Sequence, residues 1–263
     1  MNPLVKRIVT ALSTAAVVVC ALLFLPVKVV LPAMILLALL VQLEFSQLVA
    51  KKYETMQVAG LVAALGFFIA VFYCAEGIGS FFYIPMAFVA VVFFIALAAL
   101  FGRSSKPMEA MGTTLLSFVY IPFMLTFFLM IPVVHNMQWL LYIIAIVKIS
   151  DMGGFAFGKA FGKHKMCPTI SPNKSWEGLA GSVFASCLIS CAFIPMTGFI
   201  WYKALAFGVA AALIGTLGDL VESRFKREVD VKDSATFMPA GLGGFLDMFD
   251  SLVFAPALFF PFL

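Results

Sequence analysis

Charge is what this sequence has least of. Only 11% of its 263 residues are Asp, Glu, Lys or Arg, while 63% are hydrophobic; soluble domains carry about 25% charge and about 45–50% apolar residues. With a mean hydropathy of +1.10, that scarcity excludes a soluble globular domain and leaves a polytopic membrane protein. Histidine is almost missing. The two copies, His135 and His164, lie far apart in different loops, which argues against a zinc or histidine-base site. The five cysteines, Cys20, Cys74, Cys167, Cys187 and Cys191, form neither a paired-metal spacing nor a secreted disulfide framework. Cys187 and Cys191 stand one helical turn apart in an apolar run and read as packing residues. Nucleotide fingerprints are absent as well: the run Gly158 to Lys163 is too short for a Walker loop and lacks its closing Ser or Thr, and the GLGG run is no dinucleotide motif. A net charge of +4 is too small to argue for a nucleic-acid partner. No internal repeat stands out.

What is present is a series of apolar runs long enough to cross a bilayer. They fall at about 8–25, 27–43, 57–74, 81–101, 111–133, 138–157, 176–196, 201–221 and 246–263. The expected fold is all-α, a transmembrane bundle of about nine helices, with the first run kept as a mature helix rather than a signal peptide. Basic residues alternate by side. Lys6 and Arg7, Lys51 and Lys52, Arg103 and Lys106, Lys159 to Lys174, and Arg224 to Lys232 occupy one set of connections; the other set holds only Lys28 and Lys203. Positive charge stays on the cytoplasmic side, so the N-terminus is expected inside a cell (inner) membrane. Up to residue 137 polar content is sparse, and 1–137 reads as a scaffold or dimer-packing region. The acidic residues gather after 138, making 138–263 the expected catalytic part with cytoplasmic loops.

Three constellations carry chemistry. Lys148, Ser150 and Asp151 close the inner end of the sixth run; Asp151 is either a metal or substrate ligand or the partner of Lys148 or Lys159. Next, Asn173, Lys174 and Ser175 precede a helix opened by Trp176 and Glu177. A helix N-terminus there favours phosphate, and the plainer reading is a capped helix start. In the eighth run Asp219, Glu222, Ser223, Lys226 and Arg227 are spaced i, i+3, i+4, i+7 and i+8, which puts them on one helical face. Asp247, Asp250 and Ser251 form a second polar face after the glycine-rich turn at 239–244. Two helices bringing carboxylates to one membrane depth can hold a divalent cation, and hard oxygen donors without His or Cys favour Mg2+ over zinc. Lys226, Arg227 and Lys232 would offset phosphate charge. The residues alone therefore specify a membrane-embedded, Mg2+-dependent phosphate-handling site facing the cytoplasm.

The same blocks resemble the phosphatidate cytidylyltransferase (CDP-diacylglycerol synthase) family. SDMGGFAFGKAFGKHK runs from Ser150 to Lys165, ISPNKSWEG from Ile170 to Gly178, and GDLVESRFKR from Gly218 to Arg227. Lys232-Asp233-Ser234, Pro239, Gly243-Gly244 and the pair Asp247 and Asp250 follow in order. Leu242 and Met248 stand where many members have His and Arg, and the turn between Pro239 and Gly243 is one residue longer. The resemblance implies that CTP and phosphatidate become CDP-diacylglycerol and pyrophosphate, in a usually homodimeric helical protein. It assigns Mg2+ to Asp219 and Asp247 with Asp250 nearby, and allows a second cation such as K+. Catalysis is then carried by Asp219, Asp247, Asp250 and Lys226. Lys174, Ser175, Ser223, Lys226, Arg227 and Lys232 are the expected phosphate and substrate contacts, with Asp151 and Asp233 as further candidates. A CTP-dependent lipid kinase, a cytidylyltransferase for another lipid phosphate, and an ion-coupled transporter are the rival readings. Polar residues gathered at the inner ends of the last helices, not spread through the midplane, favour an enzyme.

Overall fold

The computed structural model describes residues 19–77, 82–231 and 244–263. Among them the chain is almost entirely helical, and six helices are long and apolar enough to cross a membrane. These are α1 (Val27–Val49), α2 (Gln57–Ala75), α3 (Tyr83–Phe101), α4 (Pro107–Val134), α5 (Met137–Phe161) and, after a shorter apolar helix α6 (Trp176–Ala192), α7 (Trp201–Glu228). Two short helices, α8 (Phe245–Phe249) and α9 (Ala255–Phe259), complete the bundle. Most of the expected first run lies outside the described residues; positions 19–24 are helical, and Pro26 then opens α1. The protein is an all-α polytopic membrane bundle.

Local chemistry sets the boundaries. Asn136 caps α5 by accepting from Trp139 N–H (3.1 Å), and Ser175 caps α6 by accepting from Gly178 N–H (3.1 Å). Pro122 has no N–H to give the preceding turn, and its ring crowds that turn's carbonyl. Helix α4 absorbs the mismatch as a π-helical turn over Val119–Phe123. The expected seventh run ends sooner than its hydropathy suggests, because the chain turns at Phe193 and Gly198 adopts a left-handed φ of 66°.

The last expected run, 246–263, is not one helix. It breaks over residues 250–254, where Asp250 and Ser251 turn toward other polar groups. Pro256, lacking an N–H, restarts the chain as α9 rather than continuing α8. The basic segment after α5 is likewise not plain loop. Strands β1 (Lys165–Cys167) and β2 (Ser171–Ser175) pair antiparallel, Lys165 opposite Ser175 and Cys167 opposite Ser171.

Small residues let α5, α6 and α7 approach closely. A side-chain carbon on Gly153 would sit 2.5 Å from Ala185 Cβ and 2.7 Å from Gly181 O, and one on Gly181 would strike the Phe157 ring. Polar side chains then bind α6 to α7: Ser186 Oγ donates to Gly208 O (2.8 Å) and Ser190 Oγ to Ala204 O (2.6 Å). Between membrane helices, tight packing and such hydrogen bonds replace the hydrophobic drive available in water. Cys187 Sγ lies 3.6 Å from Leu205 O in the same seam, as its packing reading expects. Helix α3 is the exception. It buries only Val91, Ile95 and Ala99, one line at four-residue spacing.

The basic ends expected on one side do meet. Lys52 Nζ, after α1, pairs with Glu228 Oε1 at the end of α7 (3.0 Å), and Tyr53 Oη donates to the same oxygen (2.7 Å). Glu54 accepts from Ser104 Oγ and Ser105 Oγ of the α3–α4 connection and from Lys106 N–H (3.1 Å).

Candidate active site

Asp219 lies nine residues before the end of α7, about 13 Å inward at 1.5 Å per residue. Gly218 beside it has no side chain, and this lets the 250–254 turn press against α7: a Cβ there would strike Asp250 O. That contact brings the second acidic group to the first. One carboxylate oxygen from each of Asp219, Glu222 and Asp250 falls within 4.8 Å of the others. Glu222 is fully buried, and neither of its oxygens accepts a hydrogen bond, although Lys226 Nζ stands 3.2 Å from Oε1.

Lysines border the triad. Lys174, the residue before the α6 cap, places Nζ 2.7 Å from Asp219 Oδ2 and donates to Thr216 O (2.9 Å). Lys226 joins Glu222 to Asp247, whose Oδ1 is 2.8 Å away. Asp247 Oδ2 accepts from Gly244 N–H (2.7 Å) and so closes the first turn of α8. Lys148 Nζ donates to Met248 O (2.8 Å) and Ser251 Oγ (2.9 Å) and lies 3.6 Å from Asp151. Ser251 Oγ in turn donates to Asp151 Oδ2 (2.8 Å). Five carboxylates (Asp151, Asp219, Glu222, Asp247, Asp250) thus face three ammonium groups (Lys148, Lys174, Lys226). Acidic groups outnumber basic ones, which suits a bound cation. All-oxygen donors around a buried acid fit a hard cation.

Two of the carboxylates lie outside the six spans, and their acidities diverge. Burial, and after it the Asp219 carboxylate, pushes the Asp250 carboxyl up to about 7. Burial also pushes Asp247 up, but its neighbours Glu222, Lys226 and the Gly244 N–H outweigh it and leave Asp247 below the usual value.

A model of the cytidylyltransferase family matches residues 5–263. The chain belongs to the cytidylyltransferase family. It is 44% identical to a phosphatidate cytidylyltransferase of Staphylococcus aureus over 122 residues, 46% of each chain. It is 42% identical to the Staphylococcus epidermidis protein of that name over 123 residues, again 46% of each. The Haemophilus influenzae protein of that name is 41% identical over 136 residues, 48% of this chain and 45% of the relative. The chain therefore spans about half the length of the curated relatives it matches.

The fold gathers Asp219, Asp250, Asp247, Lys226, Lys174 and Asp151 in one place. Asp247 stands outside the three-carboxylate group, bound to Lys226 and the α8 backbone. Glu222 takes the third position. Its place on the Asp219 face was legible from the i, i+3 spacing, but not that its oxygens share the cluster. Ser175 is the α6 cap, 3% exposed, so its hydroxyl is committed to Gly178. Ser223 Oγ reaches Asp219 Oδ1 at 3.4 Å, while Arg227 turns to Ile170 O and Val231 O at 3.4 Å each. Lys232 and Asp233 lie outside the described residues. Lys148 was visible in the sequence only as a neighbour of Asp151; its grip on the α8 turn depends on the fold.

Proposed function

We propose that this chain is an integral membrane phosphatidate cytidylyltransferase, converting CTP and phosphatidate to CDP-diacylglycerol and pyrophosphate at the cytoplasmic face of a cell membrane. The observation that carries the reading is the meeting of Asp219, Glu222 and Asp250 within 4.8 Å, bordered by Lys174 and Lys226. Names of relatives that match half of the chain supply the substrates. Orientation follows from the basic connections, with the N-terminus inside, and residues 138–263 hold the chemistry.

In the reaction, an ionised phosphate oxygen of phosphatidate attacks the α-phosphorus of CTP. The new P–O bond forms as the bond to the β-phosphate oxygen breaks, and pyrophosphate leaves. Because the nucleophile is already ionised, no general base is needed, in keeping with a site built without histidine. Lys174 and Lys226 bind phosphate oxygens and orient the two substrates, and Arg227 and Lys232 add positive charge. Asp219, Glu222 and Asp250, with Asp247 beside them, would hold Mg2+, which when bound neutralises charge on the transferring phosphates. Asp151, through Ser251, keeps the α8 turn against α5. A homodimer is part of the same reading, checked by native mass in lipid nanodiscs.

Purified protein in nanodiscs with CTP, Mg2+ and phosphatidate should give CDP-lipid and pyrophosphate in equal amounts. Release of CDP with a phosphorylated lipid would establish a kinase instead, and no turnover of either kind would overturn the reading.

A further inference from the structure

We infer that Glu44, on α1 in the sparse N-terminal half, is a positioning residue for the acidic site. Its side chain is completely buried, and its Oε2 accepts from Leu246 N–H at 2.8 Å. Leu246 is the second residue of α8, between the Gly244 cap and Asp247. A five-residue helix cannot hold itself together, since nucleating a turn costs more than its few hydrogen bonds return. Helix α8 is instead gripped at both ends. Glu44 takes a backbone N–H near its start, and Lys148 Nζ donates to Met248 O near its finish (2.8 Å). The charges are those the helix dipole favours: a carboxylate at the amino end and an ammonium at the carboxyl end.

The neighbour of Glu44 on α1 fixes the other half of the geometry. The Phe45 ring packs on Phe225 of α7 (centroids 5.4 Å apart) and on Tyr120 (5.0 Å), which itself meets Phe225 at 5.2 Å. Consecutive residues of α1 therefore touch the two elements that bring the carboxylates together. Phe45 holds α7 with Asp219 and Glu222, and Glu44 holds α8, from which the Asp250 turn departs. Helix α1 thus helps, beside the Gly218 contact, to set the separation between these carboxylates.

This inference rests on the proposed cation site, and its test separates the two. Glu44→Gln keeps the length and a carbonyl acceptor for Leu246 N–H but loses the charge. Glu44→Asp keeps the charge but is one methylene short. If Glu44 acts by its hydrogen bond, the Gln variant should stay within about 3-fold of wild type. The Asp variant should need about 10–100-fold more Mg2+ for the midpoint of cation-dependent thermal stabilisation, the scale typical of residues that orient metal ligands. Its kcat should fall with little change in the KM for CTP, and hydrogen exchange of 244–251 should speed up. Loss in Gln with retention in Asp would overturn the positioning role in favour of long-range charge; equal cation midpoints in all three proteins would overturn it outright. Wild-type exchange offers a check without any variant, because a rapidly exchanging Leu246 amide contradicts the assignment. Absence of any Mg2+ effect on the wild-type protein would instead sink the cation site itself.

Discussion

Glu222 is where charge and burial coincide. The cation beside it, Lys226 Nζ at 3.2 Å, is shared with Asp247, and a fully buried acid so placed is costly unless further positive charge joins the site. Replacing Glu222 with Gln should therefore cost about 100-fold or more in turnover, on the scale of losing a preorganised charge at a transferring phosphate, while thermal stability without cation holds or rises. Turnover assays beside melting curves with and without Mg2+ check this. Glu54 behaves differently because it faces water. Hydrogen bonds from Ser104, then Ser105, then the Lys106 N–H hold its carboxyl down at about 2, against 4.5 for a free glutamate. A depressed folded pKa adds stability that is complete above pH 4.5 and is lost as pH falls toward about 2. The stability gap between wild type and Glu54→Gln should accordingly be constant from pH 7 to 5 and close on further acidification, as unfolding curves across that range would show.

Among the elements, α7 and the turn after α8 are separate pieces made into one site by the absence of a side chain at Gly218. Gly218→Ala should displace the Asp250 carbonyl and cut turnover by about 100-fold, the penalty expected from an ångström of misplacement, with a melting temperature only slightly lowered. Equal turnover would show that the turn has room to retreat. Much of this arrangement could be read before the structure. Hydropathy located the six long helices, and helical spacing put Asp219, Glu222 and Lys226 on one face. Two things could not be read. Hydropathy alone ran through 246–263 as one span, because it does not register that Ser251 bonds Lys148 and Asp151 of α5 or that Asp250 lies against Gly218 and Asp219 of α7. For the same reason spacing could not rank Asp247 against Glu222: which carboxylate joins Asp219 depends on how the α8 turn docks, and that is decided by Glu44, Lys148 and Gly218 from elsewhere in the chain.

At the scale of the whole molecule, the packing is uneven. Helices α5, α6 and α7 interlock through glycine and serine, and α1 ties them to α8. With only Val91, Ile95 and Ala99 fully buried, and Ile84, Ala87 and Phe88 half-buried against the core, α3 is the span least covered by the rest of the chain. Its anchorage is then a property of the bilayer as much as of the sequence, and regions with few protein contacts open first. Moving the protein from nanodiscs into a short-chain detergent should raise amide exchange over 83–101 well before the α5–α7 group changes. The outlying helix would then serve as an internal gauge of how faithfully a given lipid mimic reproduces the membrane.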